Sequence, residues 1–233
     1  SMPVRGEAMA KLSQVLQRLD QRRLPVHVTP AAKKMIDSMA ELLPSPNDQF
    51  LRQVLNPQLT DQVLDQLGSI GRLLDPLLHN TVSPTILHGS EKINVIPCEV
   101  SVELDGRLLP GYTDRDMLAE LGKLLGDEVE LTVVKHEAGP PEANMGLFDT
   151  LSDILKEADP EGTPGPLLVS GVTDARHFAR LGIQTYGFTP MKLPPELDVF
   201  KLAHGPDERI PVEALSFGTE AIYRLMERFG DAN

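Results

Sequence analysis

The feature that most restricts the fold of this chain is a change of hydrophobic period near Val82. From about residue 29 to 78 apolar residues recur at helical spacing, whereas "CEVSVELDGRL" (98–108) alternates apolar and polar residues. A 3.6-residue period buries one face of a helix, and a two-residue period buries one face of a strand. A chain that switches from one to the other must place a helical body beside a sheet. The earlier stretch "GEAMAKLSQVLQRLD" (6–20) sets Met9, Leu12, Val15, Leu16 and Leu19 on one helical face, and Pro25 ends it.

Between the first helix and the switch, "TPAAKKMIDSMAELL" opens with a threonine N-cap and a proline at the first helical position. Pro44, Pro46, Pro57 and Pro76 cut the remainder into short helices, which reads as an all-α insertion. After the switch, strands are expected at 82–87, 98–108 and 128–136. "TDRDMLAELGKLLG" is a helix capped by Thr113 or Asp114 and stopped by Gly126. Helix, strand, strand, helix, strand is a βαββαβ unit without its opening strand. The three strands should form one antiparallel sheet, with helices 6–20 and 114–125 on a single face. "EAGPPEAN" (137–144) reads as a linker. A helix follows at about 145–158, then a strand near 167–170, a short helix from Thr173 and another strand in "LGIQTYGFTP". A closing helix (212–229) should bury Leu215, Ile222, Leu225, Met226 and Phe229.

Composition excludes several classes of function. A formal charge of −12 argues against a nucleic-acid partner, because phosphate binding needs a basic surface. No apolar run approaches the roughly 18 residues of a membrane span. The single cysteine, Cys98, rules out an intrachain disulfide framework and fits a reducing, cytoplasmic setting. It has no basic neighbours to favour a thiolate and reads as a small buried residue.

Candidate chemistry concentrates in loops. His204 in "KLAHGPDERIP" is a metal-ligand candidate, since neutral imidazole binds zinc and Asp207 and Glu208 stand close enough to shape its surroundings. The bland alternative is a loop histidine followed by helix-initiating acids. "SGVTDAR" offers Gly171, Thr173 and Asp174 at a turn before a helix, or simply an ordinary capped helix. Asn94 and Arg107, at strand ends, suit a carboxylate ligand or solvated surface equally well. His79 and His177 sit in helical patterns and read as structural.

Taken together, "SPTILHGSEKINVIP" (83–97), "VELDGRLLPG" (102–111), "SGVTDARHFARLGIQTYGF" (170–188) and "HGPDERIPVEALSFGTEAIYRL" (204–225) resemble a family of zinc metallopeptidases. That family includes aminoacylase, glutamate carboxypeptidase, carnosinase, acetylornithine deacetylase and succinyl-diaminopimelate desuccinylase. The resemblance covers nearly the whole chain and looks closest to the carboxypeptidase-like branch. It implies an α/β fold made of a ferredoxin-like lid with an all-α insertion and the C-terminal part of an α/β catalytic domain. The division implied is a lid and dimerisation domain at 1–138, with the helical insertion at 29–80, and a catalytic segment at 139–233.

The resemblance further implies that His204 is a zinc ligand and that Asn94 and Arg107 grip a substrate carboxylate, the asparagine often in the partner subunit's site. Gly171, Thr173 and Asp174 match a substrate-side turn, where Val172 replaces the second glycine of a frequent Gly-Gly pair. Two zinc ions per complete subunit are expected, with cobalt or manganese as substitutes. The family's histidine–aspartate motif, bridging aspartate and glutamate pair, which carries the general base, find no match here and are expected upstream of Ser1. The activity implied is hydrolysis of N-acyl amino acids or peptides by a homodimer. The alternative is a non-catalytic dimerisation or binding module.

Overall fold

The computed structural model describes residues 5–137, 144–169, 171–197 and 199–231. The linker expected at 137–144 falls almost entirely outside them. The helices are α1 (Ala8–Gln21), α2 (Pro30–Glu41), α3 (Asn47–Arg52), α4 (Thr60–Leu67), α5 (Ser69–Leu74), α6 (Asp114–Leu125), α7 (Phe148–Ala158), α8 (Ala175–Ala179), α9 (Val199–Leu202) and α10 (Val212–Asp231). Two strands, β1 (Thr81–His88) and β2 (Ser101–Arg107), pair antiparallel. None of the described helices is long and apolar enough to cross a membrane. The chain divides into two compact units, Ser1–Ala143 with Leu167–Ile183, and Asn144–Pro166 with Gln184–Asn233.

In the first unit the insertion is a small helical body. Thr29 caps α2 by accepting the Ala32 N–H at 3.2 Å. Ala32, Met35, Ile36 and Ala40 of α2 then bury against Leu51, Val54, Val63, Leu64, Leu74, Leu77 and Leu78. Two helices within it approach unusually closely: a Cβ placed on Gly71 would stand 1.9 Å from the Leu64 carbonyl oxygen. Leu168 joins the same core and its N–H reaches Met35 Sδ at 3.3 Å, so 167–183 groups with this body.

The sheet is a hairpin. Thr81 stands opposite Arg107 and His88 opposite Ser101, with an irregularity between Pro84 and Ile86. Pro84 has no N–H to give a ladder, so a bulge beside it is the expected accommodation; Thr85 there donates its hydroxyl to the Glu103 carbonyl at 3.2 Å. Val82 and Leu104 share a face, on which Val15 and Leu19 of α1 meet Met117, Leu121 and Leu125 of α6. The two helices thus cover one face of the hairpin, as the alternation predicts. Helix α6 starts at Thr113, whose N–H and hydroxyl both donate to Asp116, at 2.8 and 2.7 Å.

Four expectations are corrected, the last of them in α10. Residues 128–136 form no strand: Val129 and Leu131 join the core, but the segment finds no ladder partner. Alternation reports half-burial, which an extended loop on a core satisfies equally well. Residues 167–169 and 184–188 are likewise loops. Cys98 is an exposed thiol in the loop between the strands.

In the second unit α7 packs Leu151 and Ile154 against α10, and Glu157 pairs with Arg228 at 2.5 Å. Helix α10 turns Ala214 and Ala221 inward and leaves Leu215, Ile222, Met226 and Phe229 exposed. Gly218 lies so close to the Pro190 carbonyl that a Cβ would come within 2.6 Å. Close approach selects the small residues for the inner face, which reverses the expected burial.

The substitution Gly71→Ala should destabilise the first unit by about 2 kcal/mol or more, because the clash is with backbone and cannot be relieved by a rotamer change. The midpoint of urea unfolding, monitored by a probe in the insertion, checks this; an unchanged midpoint would mean that α4 and α5 are not held this close.

Candidate functional site

Arg107 ends β2 on the sheet face opposite the helices, because Gly106 and Leu104 alternate with it. Its Nε and Nη2 donate to Asp105 Oδ2, at 3.0 and 2.8 Å. The two residues are two apart on one strand face, so the acid holds the guanidinium fork against the hairpin. Arg107 is about half exposed and its Nη1 edge meets no partner among the described residues. A planar guanidinium held in this way can take a carboxylate on its outer edge.

Asn94 sits in the loop that joins β1 to β2. Ser90 accepts the Lys92 N–H at 3.2 Å and Val95 N–H donates to the Lys92 carbonyl at 3.1 Å, making a tight turn that leaves Asn94 exposed. The loop closes one end of the hairpin and Arg107 occupies the other. The ladder between them is six residue steps, about 20 Å. The hairpin separates these two residues.

Gly171, Thr173 and Asp174 fall within four consecutive residues and are exposed ahead of α8. Thr173 Oγ1 accepts the Ala175 N–H at 3.3 Å and the Asp174 carbonyl accepts the His177 N–H at 2.9 Å. These bonds start the short helix and leave the Asp174 carboxylate without a capping role. His177 is exposed and accepts a bond from Arg176.

His204 belongs to the second unit, just past α9. Its backbone is left-handed, with φ 61°, the one described non-glycine residue of this kind. That conformation costs a residue with a Cβ about 1–2 kcal/mol. The His204 N–H donates to Glu208 Oε2 at 3.2 Å, and Gly205 N–H returns to Leu202 O at 2.9 Å. Glu208 therefore fixes the backbone that carries the imidazole, while the ring is exposed. Among the described residues no three His, Cys, Asp or Glu side chains cluster in a way that could hold a metal ion. The residues present fit one ligand of a zinc centre, which needs about three from protein.

Three contributions were not legible beforehand: Asp105 as the holder of Arg107, Glu208 as the clamp of His204, and the strained backbone at His204. Only the first left a signal, the i, i+2 spacing of an acid and an arginine on one strand face.

The sequence model of Peptidase family M20/M25/M40 matches residues 24–228. The chain belongs to this family. As a member of the M20/M25/M40 peptidases it is similar to the probable carboxypeptidase S-like 2 of Dictyostelium discoideum, 25% identical over 231 residues, which cover 97% of this chain and 43% of that protein. It is also similar to the N-fatty-acyl-amino acid synthase/hydrolase PM20D1 of Xenopus tropicalis, 28% identical, covering 97% of this chain and 44% of the relative. The human PM20D1 is 24% identical, with 97% and 46% covered. The M20 chain thus spans less than half the length of these curated relatives. No solved structure matches it.

The strain at His204 makes a prediction. His204→Gly should be more stable than His204→Ala by about 1 kcal/mol, since only glycine adopts this φ freely. Thermal unfolding of the two variants under identical conditions checks it; equal stability would mean that the left-handed turn is absent in solution.

Proposed function

We propose that this M20 chain is part of a metal-dependent amidohydrolase or carboxypeptidase that cleaves the amide bond of N-acyl amino acids or peptides. The lid and dimerisation part lies within residues 1–138, and residues 139–233 supply the C-terminal segment of the catalytic domain. The observation that carries the reading is Arg107, a guanidinium held by Asp105 at the base of the hairpin, half exposed and with an outer edge open. The two relatives' names, a carboxypeptidase and an N-fatty-acyl-amino acid hydrolase, support it, because both substrate classes end in a free carboxylate.

The roles proposed for the residues are these. Arg107 binds the substrate carboxylate and Asp105 keeps the fork from swinging into solvent. Gly171, Thr173 and Asp174 border the substrate, and His204 contributes one metal ligand. Two zinc ions, or cobalt or manganese in their place, supply an activated water and a polarised carbonyl. The general base and the other ligands come from polypeptide outside these 233 residues.

Asn94 also contacts the substrate carboxylate, but in the partner subunit's site. A ladder of about 20 Å separates it from Arg107 of its own chain, too far for both to grip one carboxylate. A homodimer formed through the lid removes that conflict.

In the longer polypeptide Arg107→Ala should lower kcat/KM for carboxylate substrates roughly ten- to hundred-fold, and much less for analogues lacking the carboxylate. Asn94→Ala should act in the same sense, more mildly. Mixing the two variant subunits should restore about a quarter of wild-type activity, since half of the random dimers regain one intact site of two. Equal losses on both substrate kinds would make Arg107 structural. Failure of the mixture to recover would place both residues in one chain's site.

A further inference from the structure

The insertion at 29–78 is attached at a narrow neck. The chain enters it past Val26 and leaves it at His79, and these two residues form an isolated antiparallel bridge, with the His27 N–H on the Leu78 carbonyl at 2.7 Å. His79 is almost fully buried there, its side chain 1% exposed. Its Nδ1 lies 2.9 Å from Asp75 Oδ1 and 3.1 Å from the Asp75 carbonyl. Its Nε2 lies 3.1 Å from Asp61 Oδ1, off the hydrogen-bond direction. Both ring nitrogens therefore meet oxygen acceptors only. A neutral imidazole must turn one lone pair toward such an oxygen, which is repulsive; the imidazolium donates from Nδ1 to Asp75 and faces Asp61 with Nε2 as an ion pair.

The other charges around the ring agree. Asp61 and Asp65 come from α4 and Asp75 from the turn before His79. One cation, Arg23, answers them, donating at 2.7 Å to Asp65 and 2.7 Å to Asp75 and standing 3.8 Å from Asp61. His27, the next titratable group along the neck, is engaged elsewhere, with Glu120 at 2.6 Å. Three carboxylates share Arg23, which leaves the group at a formal −2, and a positive charge on His79 reduces that to −1.

We propose that His79 is held as an imidazolium and serves as a pH-sensitive latch: it ties α4 and the Asp75 turn to the neck, and its deprotonation frees the helical insertion. Burial works against the charge on His79, but the Asp75 carboxylate and carbonyl, with Asp61, outweigh it and raise its pKa above the ordinary 6.5. A raised folded-state pKa means that the latch is fully closed below about 6.5 and is lost as pH rises through the folded-state value. The neck leads directly into Thr81, which pairs with Arg107, so loosening begins one turn of chain from the residue proposed to hold substrate.

The test uses the 233-residue chain with nitrogen-15-labelled histidine. At pH 6.5 both ring nitrogens of His79 should show protonated chemical shifts, with a midpoint above 6.5. Amide exchange at 26–27 and 78–80, corrected for intrinsic base catalysis, should lose protection by up to about tenfold per pH unit between 6.5 and that midpoint. Protection along α6 should stay level across the same interval. Asp61→Asn, at a half-exposed position that the fold tolerates, should lower the midpoint. A neutral His79 ring at pH 6.5 would overturn the proposal, as would neck protection that does not change with pH, or an unmoved midpoint in Asp61→Asn.

Discussion

Glu120 is a carboxylate on α6 that has been taken almost entirely out of water, and the first unit is arranged around keeping it satisfied. His27 Nε2 approaches it at 2.6 Å and the Asn80 amide reaches both of its oxygens at 3.2 Å. Asn80 in turn accepts the Leu109 N–H at 2.9 Å, and the His27 ring lies 4.2 Å from that of Tyr112. A buried carboxylate without such partners costs several kcal/mol. The entrance of the insertion, its exit, the segment after β2 and α6 must therefore meet at one point, which the apolar contacts of α1, α6 and the hairpin alone do not specify.

That knot sets the position of the hairpin, and with it the candidate site. Asn80 precedes β1 and Leu109 follows β2, so both strands leave from a fixed base. Arg107 stands at that base, where the backbone is best held, while Asn94 stands at the distal loop, where few bonds restrain it. A rigid guanidinium and a reaching amide are different tools. In the proposed dimer the first recognises the substrate within its own subunit and the second reaches across the interface. The His79 cluster stands at the same neck and ties Asp61 and Asp75 of the helical body to it through charge.

Much of this architecture is readable from residue order. Thr29 with Pro30, and Thr113 with Gly126, mark helix ends through local hydrogen bonds and backbone freedom, and local signals of this kind survive into the fold. The alternation of 98–108 names the face of the hairpin correctly. The same rule fails at 128–136, because alternation records which side chains are half-buried and carries no information about a free strand edge. It fails again at α10, where large apolar residues were expected inside and close approach to Pro190 selects Ala214, Gly218 and Ala221 instead. The Glu120 and His79 clusters escape sequence reading for a different reason. Glu120 lies 40 and 93 residues from Asn80 and His27 in one case, and Arg23 lies 52 residues from Asp75 in the other, so no spacing rule links those partners; only Asp75 and His79 stand four apart. Among the site residues, motif resemblance singles out His204, while its left-handed backbone and its clamp by Glu208 are visible only in three dimensions.

The proposed chemistry of this chain depends on whether His204 belongs to a working metal centre. The most direct measurement is the metal content per subunit of the longer polypeptide, wild type against His204→Ala, by elemental analysis on folded protein whose hydrolysis of an N-acyl amino acid is followed in parallel. The variant should lose about one metal ion per subunit together with its activity, because a catalytic centre does not tolerate the loss of one of its few protein ligands. A variant that keeps its full metal content and its turnover would show His204 to be an ordinary loop histidine and would remove the metal-ligand role from this chain.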